Sequence, residues 1–531
     1  MLPTQALSPL IECVKTKNNL DFTFQKVDLG QVESVIKGLN PKKATGYDKI
    51  PTKLVKAALP FLGPHVTALV NQCIETSSFP QPAKYADVNP IFKKDNCLLT
   101  KNYRPVSVLP CLSKVLELVL NNQLKSFTNK ILSPLISAYR AGYSCEFTLI
   151  KLIETWRQAL DKGEATAAVL MDLSKAFDCL PHGLLIAKLK AYGLSTESCV
   201  LMASYLRKRL QRVKLGEFTS SFVEILKGVP QGSILGPVLF NIFLNDLVNI
   251  FNRTDLVNYA DDNTITAISK RLEDCLTSLK LDGEAAVNWF TENDMKANAD
   301  KFHLFIGGKH ADDNASIDIL GNHLEAETSA ELLGIQIDSD LNFREQVSGV
   351  CRKAGLQLNA LRRLSKCLSL NTRKAAFNSF VRSQFNYCPL VWGCNNATQT
   401  AKIEKIIERA LRIVFNDYNS SYENLLGQAK IDSFADLQNK RLCELTYKAV
   451  HGLAPPYISD LFPIKTDVQH LRGYKRIDLP RCKGTTYGLK SLRYRGARLW
   501  NSLDKDLISS DFENFKSKLS KLNLQFNEHR F

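Results

Sequence analysis

Three aspartates carry the chemistry that this sequence supports best. Asp172 follows the apolar run Ala167–Met171, and the adjacent pair Asp261 and Asp262 begins 89 residues after Asp172. Carboxylates are the ligands that Mg²⁺ prefers in proteins. Two such ions together catalyse nucleotidyl transfer, because one makes a 3′-hydroxyl more acidic and the other neutralises a triphosphate. The three residues are therefore suitable ligands for a two-metal nucleotidyl-transfer site.

The segments around these aspartates predict the elements that would position them. A continuous apolar run is typical of a buried strand, and a carboxylate at its end is costly to bury without a purpose. Leu256 and Val257 precede the Asp-Asp pair and residues 264–267 alternate after it, so we expect a hairpin with both aspartates in its turn. An isolated Asp-Asp pair is more often a solvated loop, since turns favour Asp. The hairpin and the strand before Asp172 should be neighbours in one sheet.

Hydrophobic periodicity predicts the remaining elements coarsely. We expect helices at 64–78, 112–127, 144–161, 182–192, 195–208 and 237–251, and a long one ending at 290. Extended pieces are expected at 88–92, 211–216, 221–227, 303–306 and 332–337. After Phe343 the pattern becomes helical, at 346–365, 371–386 and 401–415. Changes in pattern place domain boundaries near residues 80 and 340.

The positive charge lies in one part of the chain. Of the net +16, residues 1–340 contribute nothing, with 37 Lys and Arg against 37 Asp and Glu, whereas residues 341–531 hold 32 against 16. A basic region attracts polyanions, which indicates nucleic acid as a partner; a merely soluble basic surface is the alternative. The candidate contacts are the basic residues Arg207, Lys208, Arg209, Arg212, Lys214, Arg352, Lys353, Arg362, Arg363, Arg373, Lys374, Lys475, Arg476, Arg493 and Arg495, with Tyr474 and Tyr494 interleaved.

Composition excludes several protein classes. With 45% apolar and 23% charged residues the chain should fold as a globular protein of several domains. It has no apolar run long enough for a membrane span and no signal-peptide pattern at the N-terminus. The fourteen cysteines are scattered without C-x-x-C spacing, so we expect reduced thiols and neither zinc site nor disulfide framework. An intracellular protein is predicted, with nucleus and cytoplasm not distinguished.

Several ordered motifs resemble one family. VLMDLSKAFD at 169–178, GVPQGSILGP at 228–237 and YADD at 259–262 are similar to the reverse transcriptases of non-LTR retrotransposons, above all the LINE-type, jockey-like group. Further similarity occurs in NYRPVS at 102–107, from Trp289 to Phe305, and in LGIQID at 333–338. It covers about residues 30 to 345 and continues more weakly to LWNSL at 499–503.

The resemblance implies an α+β, right-hand polymerase fold with fingers, a palm built on an antiparallel sheet, and a helical thumb. The expected divisions are 1–79 for an N-terminal extension and the start of the fingers, 80–340 for fingers and palm, 341–420 for a thumb-like region, and 421–531 for a basic, mixed C-terminal region. An RNA template, a DNA primer and deoxynucleoside triphosphates would be its partners, without a membrane. Two Mg²⁺ ions, with Mn²⁺ as a substitute, would be its cofactors.

Residue roles are also implied by the resemblance, position by position. Asp172, Asp261 and Asp262 match the metal-binding aspartates, and the Leu173 carbonyl would complete one ion's shell. Phe177 matches the aromatic residue that excludes a ribose 2′-hydroxyl, although a simple core Phe is the alternative. The other matched positions are Gln231, which would contact the incoming nucleotide and template, Arg104 for the triphosphate, Ala260 for close approach to the primer sugar, and Lys301 as proton donor to pyrophosphate. Surface or purely structural roles remain alternatives for Gln231, Arg104 and Lys301. Tyr259 and Asn263 depart mildly from the pattern Phe-Ala-Asp-Asp-Thr that many relatives carry.

Two further readings stay open. Only about thirty residues precede the similarity, so we expect no endonuclease in this chain and a separate nuclease as a partner. A domesticated, RNA-binding remnant without activity would also fit that loss, but binding alone would not require three intact aspartates. An intron-maturase-like protein is the third reading, since YADD occurs there too; the DLSKAFD string and the C-terminal pattern favour the retrotransposon side.

Overall fold

The computed structural model describes residues 20–173, 175–298, 301–311, 314–393, 397–465 and 476–522. Its strands are β1 Tyr85–Phe92, β2 Tyr103–Val108, β3 Ala165–Met171, β4 Arg209–Leu215, β5 Phe218–Thr219, β6 Val223–Ile225, β7 Asp255–Tyr259, β8 Asp262–Ser269, β9 His303–Gly307, β10 Ser316–Ile319, β11 Asn322–Glu327, β12 Ser329–Leu332 and β13 Ile335–Asp338.

Its helices are α1 Leu29–Gly38, α2 Thr52–Ala57, α3 Leu59–Glu75, α4 Cys111–Ile131, α5 Cys145–Lys162, α6 Ala176–Cys179, α7 His182–Ala191, α8 Thr196–Leu206, α9 Leu235–Leu244 and α10 Leu272–Glu292. They continue with α11 Arg344–Leu364, α12 Leu370–Ala376, α13 Pro389–Trp392, α14 Ala397–Phe415, α15 Tyr422–Ala429, α16 Phe434–Val450, α17 Pro456–Ser459, α18 Leu492–Ser502, α19 Lys505–Ile508 and α20 Phe512–Leu519. An α+β fold is confirmed.

Several predicted elements needed correction. Helix α3 begins at Leu59, five residues before the expected start, because Pro60 lies in its first turn, where the missing N–H costs nothing. Helix α9 ends at Leu244 rather than 251, since the chain tightens into a 3₁₀ turn over Asn245–Asn249. The expected strand at 332–337 is the hairpin β12–β13, in which Leu332 pairs with Ile335 around a two-residue turn.

The chain divides into two units, each built from separate segments. The first comprises the described residues within Met1–Tyr139, Asp172–Asn252 and Glu284–Ala299. Its sheet has the order β2-β1-β4-β5, with β6 also paired to β4. Helix α4 packs against α1 and α9 beside this sheet, and α7 packs against α8 and α9.

The second unit comprises the described residues within Arg140–Met171, Arg253–Gly283 and Asp300–Phe531. It is built on a six-stranded sheet of order β10-β11-β9-β3-β8-β7. Strand β3 is buried along its whole length and is antiparallel to both neighbours, β8 and β9. Trp156 of α5 covers the sheet, stacking on Phe305 at 5.1 Å and donating from Nε1 to Thr266 Oγ1 at 2.7 Å. An apolar run without polar alternation therefore occupies the middle of the sheet, as predicted.

The C-terminal part of the second unit is attached to α5 through acidic side chains. Glu146 accepts the Leu390 N–H at 3.2 Å, and buried Glu154 accepts the Arg493 N–H at 3.1 Å. Asp161 accepts the N–H groups of Lys483 and Gly484, both at 2.8 Å. Since α5 also covers the central sheet, the described part of the C-terminal region is built into this unit.

Candidate active site

The hairpin β7–β8 carries Asp261 and Asp262 in the second unit. Tyr259 pairs with Asp262, so the two turn residues are Ala260 and Asp261, and Asp262 is already the first residue of β8. The expected turn of two aspartates is therefore displaced by one position. Ala260 is buried and adopts φ +56°, in the left-handed region that residues with a Cβ rarely enter.

Strand β3 brings its C-terminal end beside the start of β8. Met171, its last residue, pairs with Asn263, which is the neighbour of Asp262. Asp172 is the next residue in the chain and is half-buried. Its carbonyl accepts the Asn298 N–H at 3.1 Å, and buried Leu173 forms a single antiparallel bridge with Ala297. The expectation that these segments are neighbours in one sheet is thus confirmed at the level of strand pairing.

The donor chemistry of these aspartates fits a hard divalent cation. All three side chains are carboxylates, which suit Mg²⁺ rather than a soft metal. Within the ranges that the structure describes, no group of three or more His, Cys, Asp or Glu side chains is gathered closely enough to hold a metal ion. The role of Asp172, Asp261 and Asp262 as metal ligands therefore stays a prediction.

Phe177 belongs to the first unit and packs among aromatic rings. It is half-buried, stacks on Phe240 with ring centroids 4.3 Å apart, and meets Tyr139 edge to face at 6.0 Å. Its backbone carbonyl accepts the Val229 N–H at 2.9 Å. The ring is thus held in one place, which is compatible both with a core role and with contact to a sugar.

Gln231 lies in a tightly constrained turn of the same unit. Its carbonyl accepts the Ser107 N–H at 2.7 Å, and its Nε2 donates to Asp178 Oδ1 at 3.1 Å. Gly228 has φ +83°, and a Cβ there would approach the Asp178 backbone to 2.7 Å, so glycine is required. Because Nε2 is engaged with Asp178, the orientation of the Gln231 amide is set.

A cavity of about 510 Å³ lies in the first unit beside this turn. Its lining residues are Pro105, Ser107, Lys175, Asp178, Gln211, Ile225, Leu226, Lys227, Val229, Pro230 and Gln231. Burial raises the pKa of the Asp178 carboxyl, while the Gln231 hydrogen bond and the Lys175 charge lower it. Sequence reasoning selected Gln231 but missed Asp178 and Lys175. Their signal was present, since both lie in the DLSKAFD string that drew attention to Asp172.

Glu117 binds the backbone that follows the Gln231 turn, and it was not identified from the sequence either. Its side chain is fully buried, and Oε2 accepts the N–H groups of Ile234 at 2.6 Å and Leu235 at 3.1 Å, at the start of α9. Burial raises the pKa of Glu117, whereas the nearby Arg209 cation and the two backbone N–H groups lower it. A carboxylate here satisfies helix N–H groups that have no partner within the helix. No local sequence signal identifies it.

Arg104 and Lys301 are both exposed, in different units. Arg104 lies on β2 of the first unit, opposite Ile91 of β1. Lys301 belongs to the second unit, two residues before β9, which pairs with β3. Both assigned roles stay predictions.

The basic residues divide into structural and exposed groups. Buried Arg209 donates to the Tyr205 carbonyl at 3.0 Å, and Arg212 donates to Asp87 Oδ1 at 2.7 Å. In the second unit, Arg373 donates to the Ile413 carbonyl at 3.2 Å. These cations hold their own unit together, so only part of the predicted surface is open to phosphates.

Helix α11 presents four of the predicted basic residues to solvent. Its exposed cations are Arg352, Lys353, Arg362 and Arg363. Arg493 and Arg495 of α18 are half-buried, and Arg495 Nη2 donates to Asn439 Oδ1 at 3.3 Å. Tyr474 and Lys475 lie outside the described residues. The candidate contact surface for a polyanion is therefore centred on α11.

The twelve described cysteines are free thiols, and six of them are buried. Among the helices of the described ranges, none combines the length and the apolar character that crossing a bilayer requires.

Comparison with known proteins links these segments to one family. Residues 91–337 match the family described as reverse transcriptase (RNA-dependent DNA polymerase). The "Probable RNA-directed DNA polymerase from transposon BS" of Drosophila melanogaster is 27% identical over 434 residues, which is 77% of this chain and 47% of that protein. The "RNA-directed DNA polymerase from mobile element jockey" of Drosophila funebris is 26% identical over 416 residues, which is 76% of this chain and 45% of that protein. The chain thus spans about half the length of the curated relatives it matches.

A solved structure gives a weaker match. It is telomerase from Candida albicans in complex with a TWJ fragment of telomeric RNA, which is 13% identical, has a TM-score of 0.38 and covers 66% of each chain. The segment that matches the reverse transcriptase family spans strands β2 to β12 together with Asp172, Asp261 and Asp262.

Proposed function

We propose that this chain synthesises DNA on an RNA template, because residues 91–337 match the reverse transcriptase family and the chain is similar to the RNA-directed DNA polymerases of transposon BS and mobile element jockey. The 3′-hydroxyl oxygen of a primer attacks the α-phosphorus of a deoxynucleoside triphosphate. A new phosphodiester bond forms, the bond between the α-phosphorus and its bridging oxygen breaks, and pyrophosphate leaves.

The pairing of Met171 with Asn263 carries this proposal. It brings the end of β3, which Asp172 follows, to the strand that begins with Asp262. Asp262 lies on the paired strand β8, and Asp172 directly follows the last paired residue of β3, so ladder hydrogen bonds fix the backbone at or beside both carboxylates, which suits a site that must hold a strict geometry. An isolated Asp-Asp turn would not provide this support.

Asp172, Asp261 and Asp262, together with the Leu173 carbonyl, would hold two Mg²⁺ ions. When bound, these ions would supply Lewis acidity at the attacking hydroxyl and charge neutralisation at the triphosphate. Asp261 lies in the turn and Asp262 begins β8, so their side chains would point in different directions. One of the two would bridge both ions together with Asp172, and the other would support the site from the side. Ala260 would allow the turn to approach the primer sugar, because its side chain is only a methyl group.

Two residues of the first unit would select the nucleotide. Phe177, held by its stacking on Phe240, would lie under the sugar and exclude a 2′-hydroxyl. Gln231 would contact the incoming nucleotide and the template with the amide oxygen, since its Nε2 donates to Asp178. The cavity of about 510 Å³ beside Gln231 is large enough for part of such a ligand.

Exposed cations would bind the negatively charged phosphates of substrates and products. Arg104 would meet the triphosphate, and Lys301 would give a proton to the leaving pyrophosphate. Arg352, Lys353 and their neighbours on α11 would grip the phosphates of the template–primer duplex without reading its sequence.

Primer extension with the full chain tests the proposal. Protein, an RNA template, a DNA primer, dNTPs and Mg²⁺ should give extended products, and Asp261→Asn and Asp262→Asn should abolish them. Asp255→Asn is the matched control, because this exposed aspartate begins the same hairpin at the end away from the turn. It should keep wild-type activity.

Filter binding of the same RNA separates the polymerase from a binding-only protein. Salt-sensitive RNA affinity without any incorporation by the wild-type chain would favour the domesticated remnant. Extension that persists in both aspartate variants would contradict the assignment of the site.

A further inference from the structure

The hairpin turn that carries Asp261 has an unfavourable backbone conformation. Two-residue hairpin turns usually place Gly, Asn or Asp where φ is positive, but this turn has Ala260 at φ +56°. The methyl group disfavours this conformation. Contacts from neighbouring residues must therefore stabilise the turn.

Two buried amides flanking the turn make those contacts. Asn258 Nδ2 donates to the Ala260 carbonyl at 2.8 Å and to Asn263 Oδ1 at 2.9 Å. Asn263 Nδ2 donates to the Asp261 carbonyl at 3.1 Å. Asn258 and Asn263 are also paired across the two strands. The pair thus binds the carbonyl of each turn residue and links β7 to β8 by one further bond.

The burial of this pair is costly unless it serves a purpose. Asn258 is 0% exposed and Asn263 is 1% exposed. Asn258 Oδ1 is buried without a hydrogen-bond partner among the described residues. An unsatisfied buried acceptor is rare and calls for an explanation. Apolar side chains would pack at these positions at lower cost, so the donors are the groups that matter.

The far end of β7 is held by other groups. Asp282 Oδ2 accepts the N–H groups of Arg253 at 2.9 Å and Thr254 at 2.8 Å. Lys151 Nζ donates to the Leu256 carbonyl at 3.2 Å, on the outer edge of the sheet. The entry to the hairpin and its turn are therefore anchored separately. Loss of the amide pair should loosen the turn and leave the strand in place.

We infer that Asn258 and Asn263 are positioning residues that hold the hairpin turn in the one conformation in which Asp261 and Asp262 are correctly oriented for catalysis. The inference rests on the proposed polymerase function. The two side chains act through the backbone of the turn, since their donors bind the carbonyls of Ala260 and Asp261. A protein with a less well held turn would bind template and nucleotide normally, but its aspartates would reach the reactive geometry less often.

The test uses Asn258→Ala, Asn263→Ala and the double variant in the full chain. Each single variant should lower kcat for primer extension by about ten- to a hundredfold, as expected when a buried hydrogen-bonded partner is lost. The KM for dNTP and the Kd for the RNA–DNA duplex should change by less than about threefold. Both residues act on one turn and share a bond, so the double variant should lose less than the product of the two single losses.

Asn322→Ala is the matched control. Asn322 begins β11 after another two-residue turn, and its Nδ2 donates to the Ile319 carbonyl at 3.0 Å. The Asn322→Ala substitution therefore removes an amide-to-carbonyl hydrogen bond from a hairpin that carries none of the three aspartates. This variant should keep wild-type kcat, whatever its effect on the melting temperature.

Hydrogen exchange provides a readout that does not depend on activity. Backbone amides within 256–266 should exchange faster in the two Asn variants than in wild type, and at the wild-type rate in Asn322→Ala. If wild-type protein extends primers but the Asn variants retain kcat, or if Asn322→Ala loses as much, the inference is overturned. If wild-type protein does not extend primers, the proposed function fails, and unchanged exchange in the Asn variants would separately overturn the positioning role.

Discussion

Replacing Glu117 by Ala should destabilise the first unit strongly. The change removes a fully buried carboxylate from the N–H groups of Ile234 at 2.6 Å and Leu235 at 3.1 Å. Each charge-assisted bond contributes about 1.5–3 kcal/mol, and the buried Arg209 cation also loses a counter-charge. These contributions overlap, so we expect about 3–5 kcal/mol in total.

Thermal and urea unfolding measure this loss. With about 2–4 °C per kcal/mol for units of this size, the melting temperature should fall by roughly 6–20 °C. Glu117→Gln should lose less, because a neutral amide oxygen of similar shape can still accept one bond. Glu33→Ala is the control, since Glu33 pairs with Lys37 at the surface and such a pair contributes only about 0–1 kcal/mol. A shift below about 2 °C for Glu117→Ala, or an equal shift for Glu33→Ala, would refute the reasoning.

Other changes should have distinct outcomes. Phe177→Ala should raise incorporation of ribonucleotides relative to deoxyribonucleotides by roughly tenfold or more, measured by single-nucleotide extension; unchanged sugar selectivity would argue against a steric role. Asp246→Ala should lower the free energy of unfolding in urea by about 3–5 kcal/mol, because it removes the carboxylate that lies 2.7 Å from the buried Lys188 ammonium and leaves that cation without its counter-charge. The double variant Lys188→Met, Asp246→Leu should lose less stability. An equal loss in the double variant would contradict the ion-pair explanation. Burial raises the pKa of Glu146, so its contribution to stability is fully present below the ordinary value of 4.5 and is lost as pH rises through the higher folded-state pKa. The difference in free energy of unfolding between wild type and Glu146→Gln should accordingly be greatest below pH 4.5 and should fall towards neutral pH, and a difference that grows with pH would contradict the burial of this carboxyl.

Local patterns predicted the main elements of the site well. The apolar run at Ala167–Met171 became the buried central strand β3, and alternation around YADD became the hairpin β7–β8. Each element is determined by the period of its own side chains, which a sequence displays directly. The pairing of β3 with β8 was also predicted, because a strand buried in the middle of a sheet needs a partner strand on each side.

Details that depend on backbone hydrogen bonding were less accurate. The turn of the β7–β8 hairpin begins at Ala260, one residue earlier than expected, because Tyr259 pairs with Asp262. Residues 329–338 form a hairpin where one strand was expected, since the left-handed Leu333 and Gly334 reverse the chain. A shift of one residue in register changes which side chains face the same way.

The sequence by itself determined which residues could do chemistry, because carboxylates at a strand end, an aromatic residue and a Pro-Gln-Gly turn are recognisable from their types and order. Tertiary structure alone decided what holds them. Asp178 orients Gln231, Glu117 caps the helix after that turn, and Asn258 with Asn263 binds the turn of Asp261. These partners come from separate segments or act through backbone carbonyls. Hydrogen bonds of this kind depend on distances in the folded chain, which spacing along the sequence does not encode.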